Sequence, residues 1–144
     1  MKSLAVRVGI IAAIAIAYFV ARPFISESAG SLKLGDCFDP PTAEVETVND
    51  VQHHPCADPH GGEVIFVGKL VDAQSAPTSS EIEAWVSDNC FPAYATYTGA
   101  EMGDDMDMGY FSPTSDGWSK GDRTMICYAA KHDYSNLTGS LKKG

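Results

Sequence analysis

The sequence predicts an α+β domain: a mostly antiparallel sheet packed with one main helix, held by two disulfides and preceded by an N-terminal transmembrane helix. Three observations predict it. Two stretches, 62–71 and 122–131, combine β-branched and aromatic residues at strand spacing, and only one stretch beyond residue 30 combines helix-start chemistry with an apolar stripe. Four cysteines follow an apolar run near the N-terminus. The chain of 144 residues suffices for one domain, and 44% apolar with 20% charged residues fits a folded one.

The apolar run Leu4–Ala21 is interrupted only by Arg7, and Arg22-Pro23 closes it. About 18 residues at 1.5 Å each can cross a bilayer, with Arg7 snorkelling at one end. The basic residues Lys2 and Arg7 predict a cytoplasmic N-terminus. A cleaved signal peptide is the rival reading, but Phe19, Arg22 and Pro23 surround the place where small residues would be needed. Either reading puts the remainder outside the cytoplasm. The expected organisation is an anchor or signal peptide over 1–22, a linker over 23–31 and an extracytoplasmic domain over 32–144.

The segment 32–38 should be extended. Two prolines within 39–44 remove backbone donors and predict a loop. Residues 45–55 read as a strand broken at Asn49-Asp50. The strand 62–71 is expected to turn Val64, Phe66 and Leu70 one way and Ile65, Val67 and Lys69 the other, with a bulge at Gly68. Thr78 with Glu81, or Ser80 with Glu83, makes a capping box for a helix from about Ser80 to Asn89. Ile82, Trp85, Val86 and Cys90 form its core stripe, Pro92 ends or kinks it, and a short further turn stops at Gly99. An acidic loop is expected over 99–109, strands at 110–114 and 122–131, a turn at 115–121 and a short last strand at 137–141. Thr124, Ile126 and Tyr128 should oppose Met125, Cys127 and Ala129. Trp85, Phe91, Tyr94 and Tyr97 have spacings that suit packing better than a sugar-binding platform.

An even set of cysteines in an exported domain favours disulfides. Of the three pairings, Cys37–Cys56 and Cys90–Cys127 suit the predicted elements best. A hairpin-like return joins the first pair, and the second staples the helix to a mid-strand position. Chain entropy puts their contributions at roughly 3 and 4 kcal/mol. No C-x-x-C occurs, which disfavours thioredoxin-type exchange and zinc ribbons.

From Gly30 onward there are seven Lys+Arg and eighteen Asp+Glu, giving 7 − 18 = −11, against −9 for the whole chain. That balance argues against nucleic acid and against a peripheral grip on anionic headgroups.

The stretch His53–Val64 carries three histidines, a cysteine and a glutamate. Zinc could take His53, His54 and His60 with Glu63 as base, but neighbouring histidines on a strand point to opposite faces. A Cys56–His60 nucleophile would need a free thiol. The favoured reading is a disulfide-anchored turn stiffened by Pro55 and Pro59, with His60 and Glu63 in a hydrogen-bond network near Asp122 or Arg123. No metal, cofactor or catalytic residue is expected. Glu101, Asp104, Asp105 and Asp107 offer oxygen ligands for calcium, but the EF-hand pattern fails and a solvated loop is expected.

The order and spacing of Gly35-Asp36-Cys37-Phe38, Pro55-Cys56-x-x-Pro59-His60-x-x-Glu63-Val64, Trp118-x-x-Gly121-Asp122-Arg123-x-x-x-Cys127 and Leu137-Thr138-Gly139-Ser140-Leu141 resemble the septum-formation domain family. These are small extracytoplasmic domains on actinobacterial membrane proteins, and the resemblance spans residues 32–142. It implies a membrane-tethered outer domain linked to septum or envelope, with no established reaction. The expectation is thus a single-pass cell-membrane protein whose non-enzymatic domain binds envelope or division proteins. The rivals are an accessory subunit of a larger membrane complex and an envelope hydrolase using His60 and Glu63.

Overall fold

The computed structural model describes residues 26–42, 48–70 and 75–144. The anchor expected over 1–22 lies outside them; within them no helix is long and apolar enough to cross a membrane. The elements are β1 (Ser26–Ser28), β2 (Cys37–Asp39), β3 (Asp50–His54), β4 (Gly62–Lys69), α1 (Ser79–Thr98), β5 (Met106–Phe111), α2 (Ser115–Ser119) and β6 (Thr124–Lys131). The strands form one antiparallel sheet in the order β1-β3-β2-β4-β6-β5. The expected α+β architecture and both disulfide pairings are present.

The sheet buries a cluster on each side. Helix α1 covers Ile65, Met125, Cys127 and Ala129 with Val86, Cys90, Tyr94 and Tyr97. A second cluster joins Phe38, Val51, Val64 and Ile126, with Phe111 and Tyr128 against it. The alternation expected along β6 therefore holds. Along β4 it does not, because the bulge falls at Ile65 and not at Gly68: Val64 pairs with Tyr128, and Phe66 already pairs with Cys127. The extra residue lets Ile65 and Phe66 both meet the helix side, while Val64 enters the other cluster. Gly68 is needed for a different reason, since a Cβ there would lie 2.8 Å from the Trp85 ring. Gly109 plays the same part opposite Tyr128, whose ring covers its cross-strand glycine.

Helix α1 is one element of 20 residues, so Pro92 neither ends nor divides it. Thr78 is its cap: the hydroxyl accepts from the Glu81 N–H and the Glu81 carboxylate accepts from the Thr78 N–H. That backbone bond holds the exposed Glu81 carboxyl below its ordinary range. Gly99, left-handed at φ 73°, closes the helix onto the Ala95 carbonyl. The Cys90–Cys127 bond, Cα–Cα 5.7 Å, ties the helix middle to β6 two residues before Pro92, where the missing N–H breaks one helical bond. Of the four aromatics read as packing residues, Phe91 departs: it is 46% exposed.

Other expectations need correction. The acidic stretch is strand from Met106 onward, because cross-strand pairing with β6 outweighs the weak strand propensity of Asp107 and Gly109. The turn at 115–121 holds the short helix α2, capped by Thr114. Residues 137–141 contribute only a bridge between Leu137 and His60. Part of the linker, Ser26–Ser28, is an edge strand on β3. The proposed strand over 45–55 begins at Asp50, and residues 43–47 lie outside the described residues.

Candidate functional site

His60 and Glu63 are both fully buried. Elementary chemistry requires partners for such groups, and the C-terminal segment provides them for Glu63. One carboxylate oxygen accepts from the Tyr97 hydroxyl and the Ser140 hydroxyl, each at 2.6 Å. The other accepts from the Leu141 N–H at 2.6 Å. Around this centre, Leu137 and His60 exchange backbone bonds at 2.8 and 3.1 Å, Gly139 N–H donates to the Cys56 carbonyl, and Lys143 N–H donates to the Tyr97 carbonyl. The segment 137–143 is thus tied at five residues to β4, α1 and the Cys37–Cys56 turn.

Burial pushes the Tyr97 phenol up to about 12, and its bond to the Glu63 carboxylate and that group's charge add to the shift, with Ser140 opposing. The family-like Gly35-Asp36-Cys37 stretch serves the same tie. Gly35 is left-handed, φ 88°, and its N–H reaches the Val64 carbonyl, while Val64 N–H donates back to Asp36. The turn thereby clasps the residue next to Glu63. Cys37 pairs with Glu63 across β2 and β4, and the disulfide carries Cys56 to the same place.

Nδ1–H of His60 donates to the Asp58 carbonyl at 2.8 Å, which stiffens the turn behind Pro59. Its Nε2 is the one buried side-chain polar atom without a hydrogen-bond partner among the described residues. Donor atoms of Cys37, His60 and Glu63 lie within 4.8 Å of one another, the one such grouping among the described residues. The set does not fit a metal. Zinc takes a thiolate, and the Cys37 sulfur is spent in a disulfide; the Glu63 oxygens already accept three donors.

The structure separates residues that the sequence grouped. Arg123 lies beside Leu70, whose N–H donates to its carbonyl, seven residues along β4 from Glu63, or about 23 Å at strand rise. It stacks on the Trp118 ring at 3.5 Å and donates to the carbonyls of Trp118 and Asp122, while Asp122 accepts from the Thr124 N–H. Trp118, Asp122 and Arg123 therefore build the corner between α2 and β6 and take no part in the Glu63 network. His53 and His54 do not stand free in solvent: His53 lies 3.4 Å from Asp36, and His54 is 2.7 Å from Asp39, which also accepts from the Gly61 N–H. Among the described residues the acids at 101–107 bring no three ligand atoms together, and Asp107 meets His132 at 2.9 Å.

Sequence reasoning missed Tyr97, Ser140 and Leu141 as the partners of Glu63. The spacing of Tyr97 suits packing, and nothing local to Glu63 signals a hydroxyl 34 residues on or an amide 78 residues on. The spaced Leu137–Leu141 motif was the only available sign that the tail has a fixed place.

A family model described as Septum formation matches residues 35–143, a range that contains every residue of the Glu63 network. No curated protein and no solved structure matches the chain.

Proposed function

The chain belongs to the septum-formation family, and on that premise we propose that it is a single-span membrane protein with a non-enzymatic extracytoplasmic domain, one that docks other proteins during envelope or septum assembly. One observation carries this reading: the side chains best suited to chemistry, His60 and Glu63, are sealed inside, and the Glu63 carboxylate is occupied in holding the domain's own tail. A hydrolase would need them to converge on an open cleft. The surface instead offers an apolar groove of about 700 Å³ lined by Leu34, Phe66, Val67, Pro92 and Ala93, among others. The apolar run Leu4–Ala21 supports the anchor.

The test is crosslinking in intact membranes, followed by solubilisation and identification of the linked chains. Division or envelope proteins enriched over a matched unrelated single-span protein would support the proposal. A chain recovered from the soluble fraction, with its N-terminus near Ala29 and no envelope crosslink, would overturn it. Stoichiometric co-purification with other spanning chains through the anchor alone would favour the accessory-subunit reading.

A further inference from the structure

The groove runs beside a sheet edge that β2 leaves uncovered. On the side of β4 away from β6, β2 pairs only with Gly62 and Glu63, and the turn before it serves Val64. From Ile65 to Lys69 that side has no strand neighbour among the described residues. Leu70 N–H points across to Arg123 on the β6 side, so strand alternation aims the N–H and C=O of Lys69 and Val67 outward. Val67 is 37% exposed and Leu34, which lines the same groove, 57%. The flank of α1 forms the opposite wall with Asp88, Asn89, Pro92, Ala93 and Thr96. Pro92 has no N–H to give the carbonyl of Asp88, another groove residue, which leaves that acceptor without its helical donor.

Charge selects the occupant. The domain is strongly acidic, yet this groove carries Lys142 and Lys143 and one acidic side chain, Asp88, and Lys69 lies at the end of the open edge. None of the three ammonium groups meets a carboxylate among the described residues.

We propose that the open β4 edge at Val67 and Lys69 captures one extended segment of a partner protein, a strand of alternating apolar and acidic residues. Its backbone continues the sheet, its apolar side chains enter the groove beneath α1, and its carboxylates, on the opposite face, meet Lys69. This rests on the interaction-domain reading above and specifies the mode of contact.

The test uses the full chain in nanodiscs, oxidised, and the capped peptide Ac-Val-Glu-Val-Glu-Val-Glu-NH2 as probe. Binding should be saturable and should slow amide exchange at Val67 and Lys69. N-methylating alternate amides along one edge of the peptide should weaken it about tenfold, as loss of main-chain bonds requires. The Val-Lys counterpart should bind less well than the Val-Glu peptide. Val67→Pro should abolish binding while the melting temperature changes little, because an outward N–H takes no part in the β6 ladder. If that variant fails to fold, the N-methylated peptides still decide. The proposal is overturned by no binding, or by equal binding of both N-methylated registers and the parent. It is also overturned if lysophosphatidylglycerol occupies the groove and the peptide does not, or if Val67 and Lys69 become protected with rising protein concentration alone. Should the peptide fail while membrane crosslinks still reach division proteins, only the edge assignment falls; should it bind while no envelope partner crosslinks, the cellular role falls.

Discussion

Replacing Glu63 by leucine keeps most of the buried volume and deletes the acceptor for three donors. The three are not equivalent. Ser140 is exposed and its hydroxyl can turn to water; the Tyr97 hydroxyl can rotate but is buried; the Leu141 peptide N–H can do neither. A hydrogen bond to a charged acceptor contributes about 1.5–3 kcal/mol, and a stranded buried donor costs about 1–3 kcal/mol. Non-additive combination puts Glu63→Leu on the order of 3–5 kcal/mol, or a fall in melting temperature of roughly 10–25 °C for a domain of this size. Glu63→Gln should cost less, about 1–2 kcal/mol. Its amide oxygen can face the Leu141 N–H, and its NH2 can donate to the two hydroxyls once they rotate. Urea unfolding of both variants, with disulfides intact, measures the order. Amide exchange should show segment 137–143 opening first in the leucine variant. A leucine variant as stable as the parent, or a glutamine variant no better than leucine, would show that these three bonds do not hold the segment.

Further outcomes follow from the same geometry. Raised to about 12, Tyr97 binds its proton more tightly folded than unfolded, where the value is about 10; stability is therefore complete below pH 10 and declines between about 10 and 12, and Tyr97→Phe should flatten that decline in alkaline melts. His60→Ala, which opens a cavity and loses the bond to Asp58, should cost about 1–3 kcal/mol in thermal melts. His53→Ala, with its longer contact to Asp36, should cost less than His54→Ala, which also frees Asp39. Gly109→Ala should destabilise β5 by driving a methyl into the Tyr128 ring, an effect that Tyr128→Ala in the same chain should largely relieve. Non-reducing peptide mapping should link Cys37 to Cys56 and Cys90 to Cys127, and removing the second pair, which closes the longer loop, should cost more.

Local signals made much of the fold legible. The Thr78–Glu81 capping box located the start of α1, and the period-2 alternation of 124–129 placed both faces of β6. Both are set by atoms a few residues apart. What escaped was decided at long range. Pro92 reads as a helix stop, yet a helix pinned at Cys90 and packed through Tyr94 and Tyr97 continues through it. Asp107 and Gly109 read as loop because only β6 makes them strand. The bulge went to Gly68 because glycine is its usual sign, whereas Ile65 takes the extra position for the sake of two apolar side chains facing the helix. At the site, the cysteine pairing was legible from the predicted elements, and a hydrogen-bonded Glu63 from residue type. The identity of its partners was not, and the pairing with Asp122 or Arg123 rested on motif proximity that the length of β4 does not permit.

The Cys37, His60 and Glu63 cluster ties down the C-terminal segment, and its chemistry leaves no place for a metal. Metal analysis of the full chain, purified without an affinity tag and with its disulfides intact, tests this. Zinc should be substoichiometric and unchanged by His60→Ala. One zinc per chain, lost in a His60→Ala variant that remains folded, would contradict it.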